Sequence, residues 1–234
     1  MPSLIAAISV GLLLSCNNST DEKKAADTAA AKPVDTVAAK PAFKPFDVLV
    51  VEHKVKNYAK WKEAYMAHDS VRKAYALTDF GLGRGIEDSN MVFVLEKVDD
   101  VAKAKAFEVL PNLKEAMKKA GVTGPPTFAL HHVIRSDDSE TPVMDRLAVS
   151  HHVKDFDAWL KVFDGEGPAA RASYGLVDRG LARGVDDPNM VTVVFAVTDA
   201  AKAKARSTSP ELKKLMDSAG VDSKPVIMMY RLQK

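Results

Sequence analysis

Apolar positions alternate between Val48 and Val55: Leu49, Val51, His53 and Val55 form one face, and Val48, Val50, Glu52 and Lys54 the other. A period of two in a short β-branched run predicts a strand. Tyr58, Trp61 and Tyr65 then recur at helical spacing, so a helix follows. Asp79 to Ile86 predicts a second strand, Glu87-Asp88-Ser89-Asn90 a hairpin turn, and Met91 to Val98 a third strand. Asp99 or Asp100 is placed to cap a helix that runs to Lys119, with a break near Pro111 and a close at Gly121. Thr127 to Ile134, after Pro125-Pro126, predicts the last strand.

The same pattern is then spelled again. Asp47, Leu49, Val51, His53 and Trp61 match Asp145, Leu147, Val149, His151 and Trp159 at an offset of 98 residues. One residue is inserted around Gly165 to Pro168, and the offset becomes 99. GLGRGIEDSNMVFV from Gly81 then meets GLARGVDDPNMVTV from Gly180, and Pro111, Leu113, Met117, Gly121 and Pro126 meet Pro210, Leu212, Met216, Gly220 and Pro225. A duplication of this kind predicts two like domains, 45–135 and 143–234, joined by a polar linker at 136–142. Each has the order β-α-β-β-α-β, which right-handed crossovers arrange as a ferredoxin-like plait with strand order 4-1-3-2. The fold class is α+β. A sheet covered by helices on one face leaves the other face bare, and the second copy supplies its cover.

The segment before residue 45 differs. Leu4 to Leu14 is apolar but too short to span a bilayer as a stable helix, and it suits the core of a signal peptide at 1–15. Leu13-Leu14-Ser15-Cys16 resembles the bacterial lipobox, which implies lipidation of Cys16, although Met1-Pro2-Ser3 supplies no positive charge. The other reading of Cys16 is a buried thiol. As the single cysteine, it excludes an intrachain disulfide. Residues 16–44 are rich in Ala, Lys, Asp, Thr and Pro, a composition that predicts a disordered tether. The expectation is a lipid-anchored protein of the bacterial cell envelope, facing the periplasm or the outside.

A formal net charge of +2 over 234 residues gives no basic field for nucleic acid. No GxGxxG or Walker loop follows a strand and no nucleophile elbow is present, so nucleotide and hydrolase chemistry find no support.

The pattern H-x-V-x-[DN]-[FY]-x-x-W, then G-L-x-R-G-[IV]-x-D-x-N-M-V, then A-K-A…P-x-L-K-x-x-M-x-x-A-G-V, resembles the dimeric α/β-barrel superfamily. Within it, the chain is similar to the small antibiotic-biosynthesis-monooxygenase-like proteins, some of them called cyclases. The resemblance covers both halves. It implies a barrel built within one chain, hence a monomer with an internal pseudo-dimer. It also implies cofactor-free oxygenase or isomerase chemistry as the enzymatic options, and it transfers no catalytic residue. A small molecule bound between the halves is one expectation; a non-catalytic envelope module that contacts or sequesters a ligand is the other.

Candidate residues follow from position. His53 and His151 end the first strand of each copy and are candidate proton-transfer groups. His131 or His132, on the neighbouring fourth strand, is placed to approach His53. Five imidazoles raise a metal or haem reading. Against it, neighbouring strand residues point to opposite faces, Tyr230 and Arg231 replace His131 and His132 in copy two, and no carboxylate sits at ligand spacing. No motif indicates a cofactor or metal. Arg84 and Arg183 stand beside the Asp88 and Asp187 turns, as ion pairs or as anion-recognising groups. Arg72, Tyr75, Trp61 and Trp159 read as structural. If the mixed face of strand one lines the barrel, Glu52, Arg146, Ser150 and His152 make a polar interior; if the apolar face does, His53 and His151 are its polar groups.

Overall fold

Strand β1 (Phe46–Val55) has two faces with different neighbours, and this sets the layout of the molecule. The computed structural model describes residues 43–233, so Cys16, the signal segment and all but the end of the tether lie outside the described residues. On one face of β1, Leu49, Val51 and Val55 pack against Trp61, Phe107 and Leu113 of the helices. On the other, Glu52 stands opposite Phe93, which packs with Ala148 and Tyr230 of the second half. The mixed face therefore lines the barrel and the apolar face meets the helices. Burying each large apolar side chain contributes about 1.5–3 kcal/mol.

The first repeat continues through α1 (Tyr58–Ala67), α2 (Asp69–Ala74), β2 (Leu77–Gly85), β3 (Met91–Val98), α3 (Val101–Glu108), α4 (Leu113–Lys119) and β4 (Val122–Ser136). The second repeats it as β5 (Asp145–His152), α5 (Phe156–Glu166), α6 (Pro168–Ser173), β6 (Leu176–Gly184), β7 (Met190–Val197), α7 (Ala200–Ser207), α8 (Pro210–Ser218) and β8 (Val226–Gln233). Equivalent caps start equivalent helices. Asn57 and Asp155 accept from Lys60 N and Ala158 N, and Asp100 and Asp199 from Lys103 N and Lys202 N. Each such cap contributes about 1 kcal/mol. The inserted residue of copy two falls at the α5–α6 junction, where Gly167 takes φ 78° ahead of Pro168.

The strands close into a barrel in the order β1-β3-β2-β8-β5-β7-β6-β4. Each repeat keeps the order 4-1-3-2, and the two sheets join along both edges through β2–β8 and β4–β6. The chain thus forms an intramolecular dimeric α/β barrel. Strand β4 starts at Val122, earlier than the prolines suggested. Its pairing with β1 runs from Glu52↔Thr127 to Lys54↔Thr123, so Gly124, Pro125 and Pro126 all face His53 in a bulge. Prolines are tolerated there because a bulge needs no ladder N–H from them.

Candidate functional site

His53 stands where the β1–β4 ladder is interrupted, on the face that meets the helices, with its ring 5.3 Å from that of Trp61. Neither ring nitrogen has a partner, and burial lowers its pKa to about 4, so the imidazole is neutral. His151 repeats the arrangement against Trp159 at 5.7 Å, with its pKa also lowered by burial. The two histidines thus belong to separate helix-covered faces and do not share a site.

Beside His53 lies a cavity of about 350 Å³ between the first repeat's sheet and its helices. Val51, Val94 and Phe128 form its floor, and Trp61, Phe107 and Met117 lie among its roof residues. Such a volume is at the lower end of small-molecule sites.

One end of this apolar space is polar. Glu96 lies on β3 opposite Leu49 and is 1% exposed. The Tyr65 hydroxyl is 2.5 Å from Glu96 Oε1 and 2.5 Å from Asp79 Oδ1. One phenolic proton serves one of these contacts, so the other requires a protonated carboxyl. Burial identifies Glu96 as that carboxyl, raising its pKa to about 7 against the lowering contributions of Tyr65 and Arg72. Burial likewise raises the Tyr65 phenol far above its ordinary value. Arg72, nearly inaccessible, donates to Tyr65 O at 2.5 Å and to Asp79 Oδ1 at 3.0 Å. Its Nε lies 2.8 Å from Glu96 Oε1, an ion-pair contact without hydrogen-bond geometry, and Glu96 Oε2 has no partner. Tyr65, Arg72, Glu96 and His53 all line the cavity.

In the second repeat the same positions carry Phe163 and Phe195, and Phe195 stands opposite Leu147 as Glu96 does opposite Leu49. Arg171 keeps its aspartate there, forming two hydrogen bonds to Asp178 at 2.8 and 2.6 Å. The proton-sharing pair belongs to the first repeat.

The other expected site residues lie elsewhere. His131 and His132 stand opposite Val48 and Asp47, five or six positions from His53 along β1, so neither approaches it. His132 bonds Asp47 at 2.7 Å, and burial lowers the pKa of His131. Among the described residues no group of three or more His, Cys, Asp or Glu side chains converges to hold a metal. Arg84 does not pair with Asp88, because Lys54 takes that carboxylate at 2.6 Å. Instead Arg84 donates to Ser89 O at 2.7 Å and lies over the Tyr58 ring, while Arg183 donates to Pro188 O and lies over Phe156. Glu52, whose pKa burial raises, faces the barrel interior opposite Phe93. Ser150 bonds Thr192 at 2.7 Å, Arg146 donates to Val143 O at 2.6 Å, and His152 bonds Asp222 at 2.6 Å, which raises its pKa. The middle of the barrel, where a ligand space was expected, is packed instead. Phe93 stacks on Tyr230 at 5.0 Å, with Leu95, Met228 and Leu232 around them.

Three solved structures show the same fold. They are a protein from Lactobacillus acidophilus NCFM provisionally named a monooxygenase (TM-score 0.50, 12% identity, 80% of this chain and 94% of that one), an anthrone oxidase-like protein (0.52, 12%, 81% and 92%), and a provisionally named monooxygenase from Fusobacterium nucleatum (0.51, 11%, 81% and 93%). No protein-family model and no curated protein matches the chain. At these identities the likeness is one of fold, the dimeric α/β barrel.

Proposed function

We propose that the first repeat binds a small, mainly apolar molecule in its cavity and exchanges a proton with it through Glu96. The observation that carries this reading is the contact of one phenol, Tyr65, with two carboxyls at 2.5 Å each, on the wall of a cavity. A carboxyl whose pKa is about 7 is present in both forms near neutrality, as a general acid or base requires. Tyr65 links Glu96 to the more exposed Asp79, a route for the proton to leave, and Arg72 holds both carboxyls in place. The second repeat, with phenylalanines at the two key positions, supports the barrel.

The test is an infrared titration of the buried carboxyl in the parent chain and in Glu96→Gln. Support is a protonated-carboxyl band that fades as pH rises through about 7 and is missing in the variant. A carboxyl that titrates in the ordinary Glu range removes the proton transfer and leaves a ligand-sequestering module.

We also propose that lipid attached to Cys16 anchors the chain to a membrane of the bacterial envelope, supported by the apolar run Leu4 to Leu14 and the Ser15-Cys16 that ends it. A Cys16→Ala chain then moves to the soluble fraction; retention in the membrane contradicts the anchor.

A further inference from the structure

The charges around Glu96 limit what the cavity can hold, given the reading of that cavity as a ligand site. Arg72 is already committed there. Its Nη2 lies 3.0 Å from Asp79 and 3.5 Å from Asp69, and its Nε 2.8 Å from Glu96. One guanidinium thus faces three carboxyls, so its charge is already offset for an anion entering beside it. At another part of the lining, Lys119 leans on Glu115 at 3.2 Å.

What Glu96 Oε2 lacks at this end is a donor. Glu96 Oε1 takes part in the contacts with Tyr65 and Arg72, whereas Oε2 is buried without a partner. Leaving such an oxygen unpaired is unfavourable, and a ligand donor removes that cost. The far end is set by register. Glu96 is level with Leu49, and His53 follows four residues on, about 13 Å along the strand. Between them the floor is Val51, Val94 and Phe128, with no polar side chain among the three. At His53 the neutral ring offers one donor and one acceptor, both unfilled.

We propose that the cavity takes an uncharged, elongated, mainly apolar molecule with a hydroxyl or N–H donor at the end that reaches Glu96, and that it rejects carboxylates. Phe163 and Phe195 present no such acceptor in the second repeat.

The test uses Trp61, which lines the cavity, as a fluorescent reporter in the full chain carrying Trp159→Phe. Decanol and decanoate are titrated at neutral pH, and calorimetry on the unsubstituted chain repeats the ranking without relying on the variant's fold. Decanol is expected to bind at least about tenfold more tightly than decanoate, and Glu96→Gln to narrow that ratio. Decanoate binding as tightly as decanol, or more tightly, overturns the inference. A failure of both probes to bind by either method is a different result: it overturns the cavity reading itself, and this inference with it.

Discussion

Glu96 and Phe195 occupy one and the same register position in the two halves, each opposite a leucine of its repeat's first strand, Leu49 and Leu147. Around them the helices, caps and arginine–aspartate pair are kept, while the carboxyl and the Tyr65 phenol become phenylalanines. The duplicated fold thus contains its own comparison.

Glu96 makes stability pH-dependent with a definite sign. Its pKa is raised from the usual 4.5 to about 7, so the folded chain holds this proton more tightly than the unfolded chain. The resulting stabilisation is complete below about 4.5 and is lost as pH rises through about 7. Its full size is on the order of 3 kcal/mol. Denaturant melts of the parent and Glu96→Gln across this range should show a decline in the parent that the variant lacks. Parallel curves contradict it.

Tyr65→Phe removes the phenol in contact with the Glu96 carboxyl, while burial persists. The pH at which Glu96 titrates should therefore differ between this variant and the parent, read from the same infrared band. Identical titrations contradict the assignment of Tyr65 as its hydrogen-bond partner.

His53 acts with the opposite sign. Its pKa is lowered from 6.5 to about 4, so the unfolded chain takes up a proton that the folded chain refuses. This penalty is absent above about 6.5 and grows as pH falls toward about 4. The stability of His53→Leu relative to the parent should therefore improve steadily as pH is lowered through that window. A difference that stays constant with pH contradicts a neutral His53.

The turns before β2 and β6 give a backbone test. Ala76 has φ 59°, a left-handed conformation, while its counterpart Gly175 has φ 76°. Ala76→Gly should stabilise the chain by about 1 kcal/mol, because glycine adopts that conformation without the Cβ clash. Gly175→Ala should destabilise it, since a Cβ there lies 2.6 Å from Asp199 O. Thermal melts of the two variants should move in opposite directions.

The fold was legible in the chain because its signals are local and stated twice: the alternation in β1, the Tyr58-Trp61-Tyr65 stripe and the repeated glycine-rich hairpin from Gly81 and Gly180. Which face of β1 lines the barrel was not legible, since either face satisfies the alternation and only tertiary pairing decides. The site was harder to read for a related reason. Histidines draw attention by type, whereas Glu96 looks like one charge among many until its strand position is considered. A signal was present: within Met91 to Val98, Glu96 shares the face of Val92 and Val94, and the second copy carries Phe195 there. A carboxylate at a position that its own duplicate fills with phenylalanine is a buried one. Tyr65 against Phe163 says the same of the phenol. The link between Tyr65 and Asp79 spans 14 residues and depends on where α1 crosses the sheet, which no sequence period specifies.

Whether the ligand site is the helix-side cavity of the first repeat is decided by crystallography of the chain with a terminally brominated decanol, whose anomalous signal marks its position. Bromine is expected in the first repeat between the Val51–Val94 floor and the Trp61–Met117 roof, on the His53 side, with the hydroxyl toward Glu96. Bromine inside the barrel beside Phe93 and Tyr230, in the second repeat against Trp159, or at no defined place in the molecule contradicts it.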